Sequence, residues 1–124
     1  MSSFIIVEDD LSFRYLIRAM LEKAGHTVLA AVDNTDSALD YLRLGKVPDM
    51  ICLDVVLPGG RGTKLIGYLR ENHKAVKIAV VTGLAEEQVL RLAPPSSYDG
   101  LIQKPFVTDE FLAKVSAILA SPRK

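Results

Sequence analysis

The sequence has no tryptophan, a single cysteine and no excess charge of either sign, and each shortage removes a class of function. Cys52 cannot close an internal disulfide, and its place in the apolar run Met50 to Leu53 reads as a buried, inert thiol in a reducing compartment. Lys+Arg and Asp+Glu each number 15 and are scattered along the chain, so no electrostatic footprint for nucleic acid or an anionic membrane is visible. No apolar run approaches the roughly 20 residues that a membrane span requires. The start, Met1-Ser2-Ser3-Phe4, lacks the basic segment of a signal peptide, and a cytoplasmic location is expected. What is abundant is apolar content, 49% of 124 residues, enough for one folded core and not two. A single domain over residues 1–124 is expected, with no interdomain linker, low-complexity stretch or output domain.

The chain alternates two patterns. Short apolar runs, rich in β-branched residues, occur at Phe4–Val7, Val28–Val32, Met50–Leu53, Ile78–Val81 and Leu101–Ile102, and favour strands covered on both faces, with a buried helix the alternative that pattern alone leaves open. Helix-period segments lie between them. Leu11, Tyr15, Leu16, Ala19 and Met20 fall on one stripe of a helix expected to end near Gly25. Asn34 or Thr35 is placed to cap a second helix carrying Ala38, Leu39 and Leu42, and Thr63 to cap a third with Leu65, Ile66 and Leu69 inward. Ala85 to Ala93 predicts a fourth, stopped by Pro94-Pro95. The last starts near Thr108, which is placed to cap it, and repeats Phe111, Leu112, Val115, Ile118 and Leu119. Five β-α units with helical, right-handed crossovers give an α/β fold, a parallel sheet between layers of helices. Ligands of such sheets bind beyond the carboxyl ends of the strands.

Chemistry collects at those ends. The first strand runs into Glu8-Asp9-Asp10, the third into Asp54, the fourth into Thr82, and the fifth reaches Lys104-Pro105. Singly, each has a bland explanation: an aspartate after a strand is commonly a helix cap, and a lone lysine is usually solvated. Together they place carboxylates, a hydroxyl and an ammonium on one edge. Crowded carboxylates repel, and a divalent cation relieves the conflict. Oxygen-only donors suit Mg²⁺, which takes one or two carboxylates and a phosphate oxygen. Asp54 is then the candidate nucleophile toward a phosphoryl group, Lys104 a second positive charge, and Thr82 a hydrogen-bond donor to a phosphoryl oxygen.

The stretches Ile5-Ile6-Val7-Glu8-Asp9-Asp10, Pro48-Asp49-Met50-Ile51-Cys52-Leu53-Asp54, Leu57-Pro58 to Gly62, Val80-Val81-Thr82-Gly83 and Lys104-Pro105-Phe106 resemble, in order and spacing, a response-regulator receiver domain of two-component signalling. The resemblance covers Phe4 to about Leu119. It implies a doubly wound, flavodoxin-like (βα)5 fold with strand order 2-1-3-4-5. It also implies phosphorylation of Asp54 by a phosphohistidine on a sensor histidine kinase or histidine phosphotransfer protein. Glu8 and Asp9 would form the acidic pair, Asp9 binding Mg²⁺ directly, with Asp54 and the Val56 carbonyl completing the protein's share of the metal shell. The Lys104–Pro105 peptide is expected to be cis. Such a protein is a phosphoacceptor and not a turnover enzyme, and passes its signal to a downstream protein by contact.

Departures from the family pattern concern the output. Leu101 stands where receivers usually carry Tyr or Phe, and its alternatives are plain core packing or a changed switch. Pro94-Pro95 should end the fourth helix early and leave a stiff extended segment. Both bear on the face formed by the fourth helix, fifth strand and fifth helix. Val56 occupies a position where polar residues help position water, so slow loss of the phosphoryl group is expected. Gly59-Gly60-Arg61-Gly62 reads as a flexible loop, His26 and His73 as surface residues, and Tyr98 as a loop anchor. A receiver-shaped interaction module, its output independent of phosphorylation, is the alternative. A phosphatase with a second acid two residues after the nucleophile is opposed by Val56, and a flavin site by the acids after the first strand.

Overall fold

The computed structural model describes residues 1–57 and 62–122. Five parallel strands, β1 (Ser3–Val7), β2 (Thr27–Val32), β3 (Met50–Leu53), β4 (Lys77–Thr82) and β5 (Gly100–Gln103), lie in the order β2-β1-β3-β4-β5. Helices α1 (Leu11–Lys23), α2 (Thr35–Arg43), α3 (Gly62–Asn72), α4 (Glu86–Leu92) and α5 (Thr108–Ala120) connect and cover them. This is the doubly wound (βα)5 arrangement and strand order expected.

Alternation along the central strands divides the core. Ile5, Val7, Ile51, Leu53, Ile78 and Val80 pack with α2, α3 and α4 on one face. Phe4, Ile6, Met50, Cys52, Ala79 and Val81 pack with α1 and α5 on the other. Both faces being covered, these strands read as continuous apolar runs. Burial of Cys52 is complete enough to push its thiol pKa up to about 12, so it stays a protonated thiol.

Helix ends follow local chemistry. The α1 helix closes through Gly25, at φ 92°, with the amide of Gly25 donating to the Glu22 carbonyl and that of His26 to the Leu21 carbonyl, the paired bonds of a glycine C-terminal motif. Asn34 caps α2, its Oδ1 accepting from the Ser37 amide at 2.8 Å. The expected caps at Thr63 and Thr108 are not used: both residues lie inside their helices, and Val107 precedes α5 without a side-chain cap. The loop expected at Gly59-Gly60-Arg61-Gly62 falls outside the described residues except for Gly62, the first residue of α3.

Two sequence expectations are corrected. On α1 the residues turned into the core are Ile17, Met20 and Leu21, whereas Leu11, Tyr15 and Leu16 are 67%, 74% and 42% exposed. The helix carries apolar residues on two faces, and periodicity alone does not say which meets the sheet. Pro94-Pro95 does end α4 early, but Pro95–Ser97 forms a 3-10 turn instead of an extended run. That turn delivers Tyr98 into the α3–α4 core cluster, 6% exposed and packed there with Val89, Ala93 and the half-buried Leu101. His26, like His73, is partly exposed. Half-buried, it accepts the Ser2 amide at Nδ1 (3.2 Å) and meets the Phe4 ring edge-on; His73 is half-buried against Tyr68. No helix among the described residues is long and apolar enough to cross a membrane.

Candidate functional site

The strand ladders carry the polar residues one step past the sheet. The Glu8 amide donates to the Val32 carbonyl at 2.9 Å, Asp54 to Val7 at 3.0 Å and Lys104 to Thr82 at 2.8 Å. The backbones that carry Glu8, Asp54 and Lys104 are therefore each tied to the neighbouring strand, and the parallel register brings the strand ends together. They line an open cleft of about 750 Å³, with Glu8, Asp9, Asp54, Val56, Thr82 and Lys104 on its walls. All six residues singled out from the sequence thus meet in one place.

Three carboxylates dominate it. One oxygen each of Glu8, Asp9 and Asp54 lies within 4.8 Å of the others. Glu8 is 1% and Asp54 6% exposed, while Asp9 faces solvent. The Lys104 ammonium bridges the two buried acids, 2.5 Å from Glu8 Oε1 and 3.0 Å from Asp54 Oδ2. Glu8 Oε1 is an ion-pair contact whose angles fall short of a hydrogen bond, so this buried oxygen still lacks a well-aligned donor. Asp54 Oδ1 accepts the Val56 amide at 2.9 Å. Thr82 is fully buried, and its Oγ1 accepts the Leu84 amide at 3.3 Å. The Lys104–Pro105 peptide is cis.

Among the described residues negative charge is in excess in this cluster, three carboxylates around the Lys104 ammonium, and proton affinities respond. Burial is the main cause that raises the Glu8 pKa, and Lys104 and the Asp10 amide only partly oppose it. Burial works against the Lys104 charge as well, but the pairing with Glu8 and Asp54 outweighs it and raises the lysine pKa. A site that holds protons this firmly favours a further cation. The donors are all oxygen, one buried oxygen is poorly matched, and an exposed carboxylate stands beside two buried ones; these residues fit Mg²⁺.

Three supporting residues were not assigned these roles from the sequence. Asp10 caps α1, its Oδ1 accepting the Phe13 amide at 3.0 Å, and its own amide donates to Glu8 Oε2 at 3.1 Å. Arg14 Nη1 donates to the Glu8 carbonyl at 3.0 Å. The Phe13 ring lies under Lys104, with Nζ 4.4 Å from its centroid. The Asp10-x-x-Phe13 spacing is a cap signal that could have been read; nothing in the sequence pairs Phe13 with a residue 91 positions on.

A family model described as the response regulator receiver domain matches residues 4–116. The phosphate regulon transcriptional regulatory protein PhoB of Escherichia coli (strain K12) is 31% identical over 117 residues, 93% of this chain and 50% of that protein. The chain thus spans about half the length of that curated relative. Among solved structures, the response regulator TrrA of Thermotoga maritima, in complex with Mg²⁺-BeF, is 28% identical with a TM-score of 0.80, covering 95% of this chain and 99% of that one. A two-component response regulator of Clostridium difficile is 27% identical with a TM-score of 0.83, covering 96% of each chain.

Proposed function

The chain belongs to the response-regulator receiver family, and from that premise we propose that Asp54 accepts a phosphoryl group from a phosphohistidine on a sensor histidine kinase or histidine phosphotransfer protein. The observation that carries this is the Lys104 ammonium 3.0 Å from Asp54 Oδ2, inside a cluster of three carboxylates built to take a cation. In the transfer the P–N bond of the donor breaks, its electron pair returns to the imidazole, and a P–O bond forms to the Asp54 carboxylate. Glu8, Asp9, Asp54 and the Val56 carbonyl would hold Mg²⁺, which neutralises charge on the phosphoryl oxygens when bound. Lys104 balances a further part of that charge. The Thr82 hydroxyl, now an acceptor for Leu84, turns to donate to a phosphoryl oxygen.

The donor must lie across the rim of the cleft. Leu11 and Val56 line that rim, and Leu11 continues along the outward face of α1 into Tyr15 and Leu16. An exposed apolar surface beside a reactive carboxylate suits a protein donor better than a small one. Residues 1–124 act as one receiver unit that relays by protein contact, a phosphoacceptor and not a turnover enzyme. One observation favours the interaction module as a second reading: Leu101 is a half-buried residue packed against the core cluster that holds α3 and α4, and it has no ring to report the state of Thr82.

Incubation with Mg²⁺ and acetyl phosphate or beryllofluoride tests the acceptor, with Asp54→Ala as control. An adduct confined to the wild type is expected. Its absence at saturating Mg²⁺ refutes phosphoacceptance and leaves the module reading.

A further inference from the structure

We propose that Phe13 is the positioning residue for Lys104, holding its ammonium beside Asp54 by contact with the face of the aromatic ring. This rests on Asp54 being the acceptor, since the position is useful only if charge arrives there.

Lysine is a compact charge on a flexible four-carbon stem, and an unrestrained one would sample many positions across an open cleft. Here Nζ has three anchors: Glu8 Oε1, Asp54 Oδ2 and the Phe13 ring at 4.4 Å. The two carboxylates are also the groups on which a divalent ion and a phosphoryl group draw. As either binds, the ion pairs that fix Lys104 weaken. The negative face of the ring is drawn on by neither and continues to attract the ammonium.

The ring is itself fixed. The Phe13 amide is tied to Asp10 Oδ1, and the Asp10 amide to Glu8 Oε2, so the ring under the lysine is anchored to the acid that pairs with it. Across the ring, Phe106 lies at 5.8 Å between centroids and Phe111 a further 4.8 Å on, fully buried in α5. Phe106 follows Lys104-Pro105, so both ends of the contact are braced against the same core. A leucine at position 13 would fill much of the volume and keep the packing without a charged face to offer.

The direct readout is the ring current. Protons on Lys104 Cε above an aromatic face resonate upfield, and in the wild type without phosphodonor we expect such a shift. Phe13→Leu should abolish it and Phe13→Tyr should keep it. At saturating Mg²⁺, Phe13→Leu should slow adduct formation from acetyl phosphate by about tenfold, between the sizes of an exposed and a fully desolvated contact of this kind, because the ring is half-buried. The Mg²⁺ dissociation constant should stay within about twofold, and Phe13→Tyr should transfer at nearly the wild-type rate. An unshifted Lys104 signal in the wild type overturns the proposal, even if Phe13→Leu fails to fold. So does a Phe13→Leu variant with unchanged transfer, or one slowed only through weaker Mg²⁺ binding. If the wild type forms no adduct at all, the acceptor reading fails separately, because the ring-current result is obtained without any phosphodonor.

Discussion

Replacing Lys104 with methionine keeps an apolar stem of similar length and removes the cation that pairs with both Glu8 and Asp54. At an effective dielectric of about 20, the contacts at 2.5 and 3.0 Å correspond to gross attractions of about 6–7 and about 5–6 kcal/mol. Desolvation of a largely buried ammonium takes back several kcal/mol, and two like charges are left facing each other in its place. The expected net loss for Lys104→Met is about 2–4 kcal/mol near neutral pH without Mg²⁺, seen as a fall of roughly 10 °C in Tm for a domain of this size.

Two dependences separate this from ordinary packing loss. Mg²⁺ should recover most of the deficit, because the variant presents the same carboxylates with no competing ammonium; at a hundred times Kd the gain from binding is about 2.7 kcal/mol. Acidification should also narrow the gap. Burial raises the Glu8 pKa above its ordinary 4.5, so its ionisation in the folded state lowers stability as pH rises from 4.5 through the raised value. In the variant, where no ammonium offsets the charge, that loss is larger, and protonating Glu8 relieves it. In the wild type Lys104 contributes in the opposite sense: its pKa is raised above 10.5, so its stabilisation is fully present below 10.5 and disappears as pH rises through the folded value. Melting both proteins across pH, with and without Mg²⁺, reads all of this. Equal stability in Mg²⁺-free buffer at neutral pH, or a deficit indifferent to Mg²⁺ and acid alike, would refute the electrostatic account of the cluster.

Gly62→Ala should destabilise the fold by about 1–3 kcal/mol, because a Cβ there would come within 2.7 Å of Val55 Cα and 2.9 Å of its carbonyl oxygen, both backbone; denaturant titration measures it, and an unaffected midpoint contradicts that close approach. Lys77→Met should cost about 1–2 kcal/mol, since Lys77 Nζ donates to the carbonyls of Ile118 at 2.8 Å and Leu119 at 2.7 Å, and also to that of Ser121, at the open end of α5; hydrogen exchange should show the last turn of α5 released. Val56→Asn should speed loss of the phosphoryl group from Asp54 several-fold, because Val56 is 52% exposed on the cleft wall and offers water no polar partner; an unchanged adduct lifetime would clear valine of any braking role.

The sequence by itself determined the fold and the membership of the site. Runs such as Met50–Leu53 and Ile78–Val81 are apolar on both faces, which suits a parallel sheet covered by helices, and the alternation with helix-period segments points the same way. That topology puts Glu8, Asp9, Asp54, Thr82 and Lys104 at one edge whatever the details of packing. Tertiary structure alone decided what spacing along the chain does not encode. The stripe assigned to α1 from the sequence reaches the core at Met20 but not at Leu11, Tyr15 or Leu16, because Ile17 and Leu21 keep helical period with Met20 as well. The 3-10 turn after Pro94 and the burial of Tyr98 depended on room in the α3–α4 cluster. The caps expected at Thr63 and Thr108 were displaced by helices that begin two residues earlier, at Gly62, and one residue earlier, at Thr108 itself. The placing of Phe13 beneath Lys104 joins residues from α1 and the end of β5. Local propensity acts over a few residues, whereas contacts of this kind exist only once the sheet has fixed the distance between its strand ends.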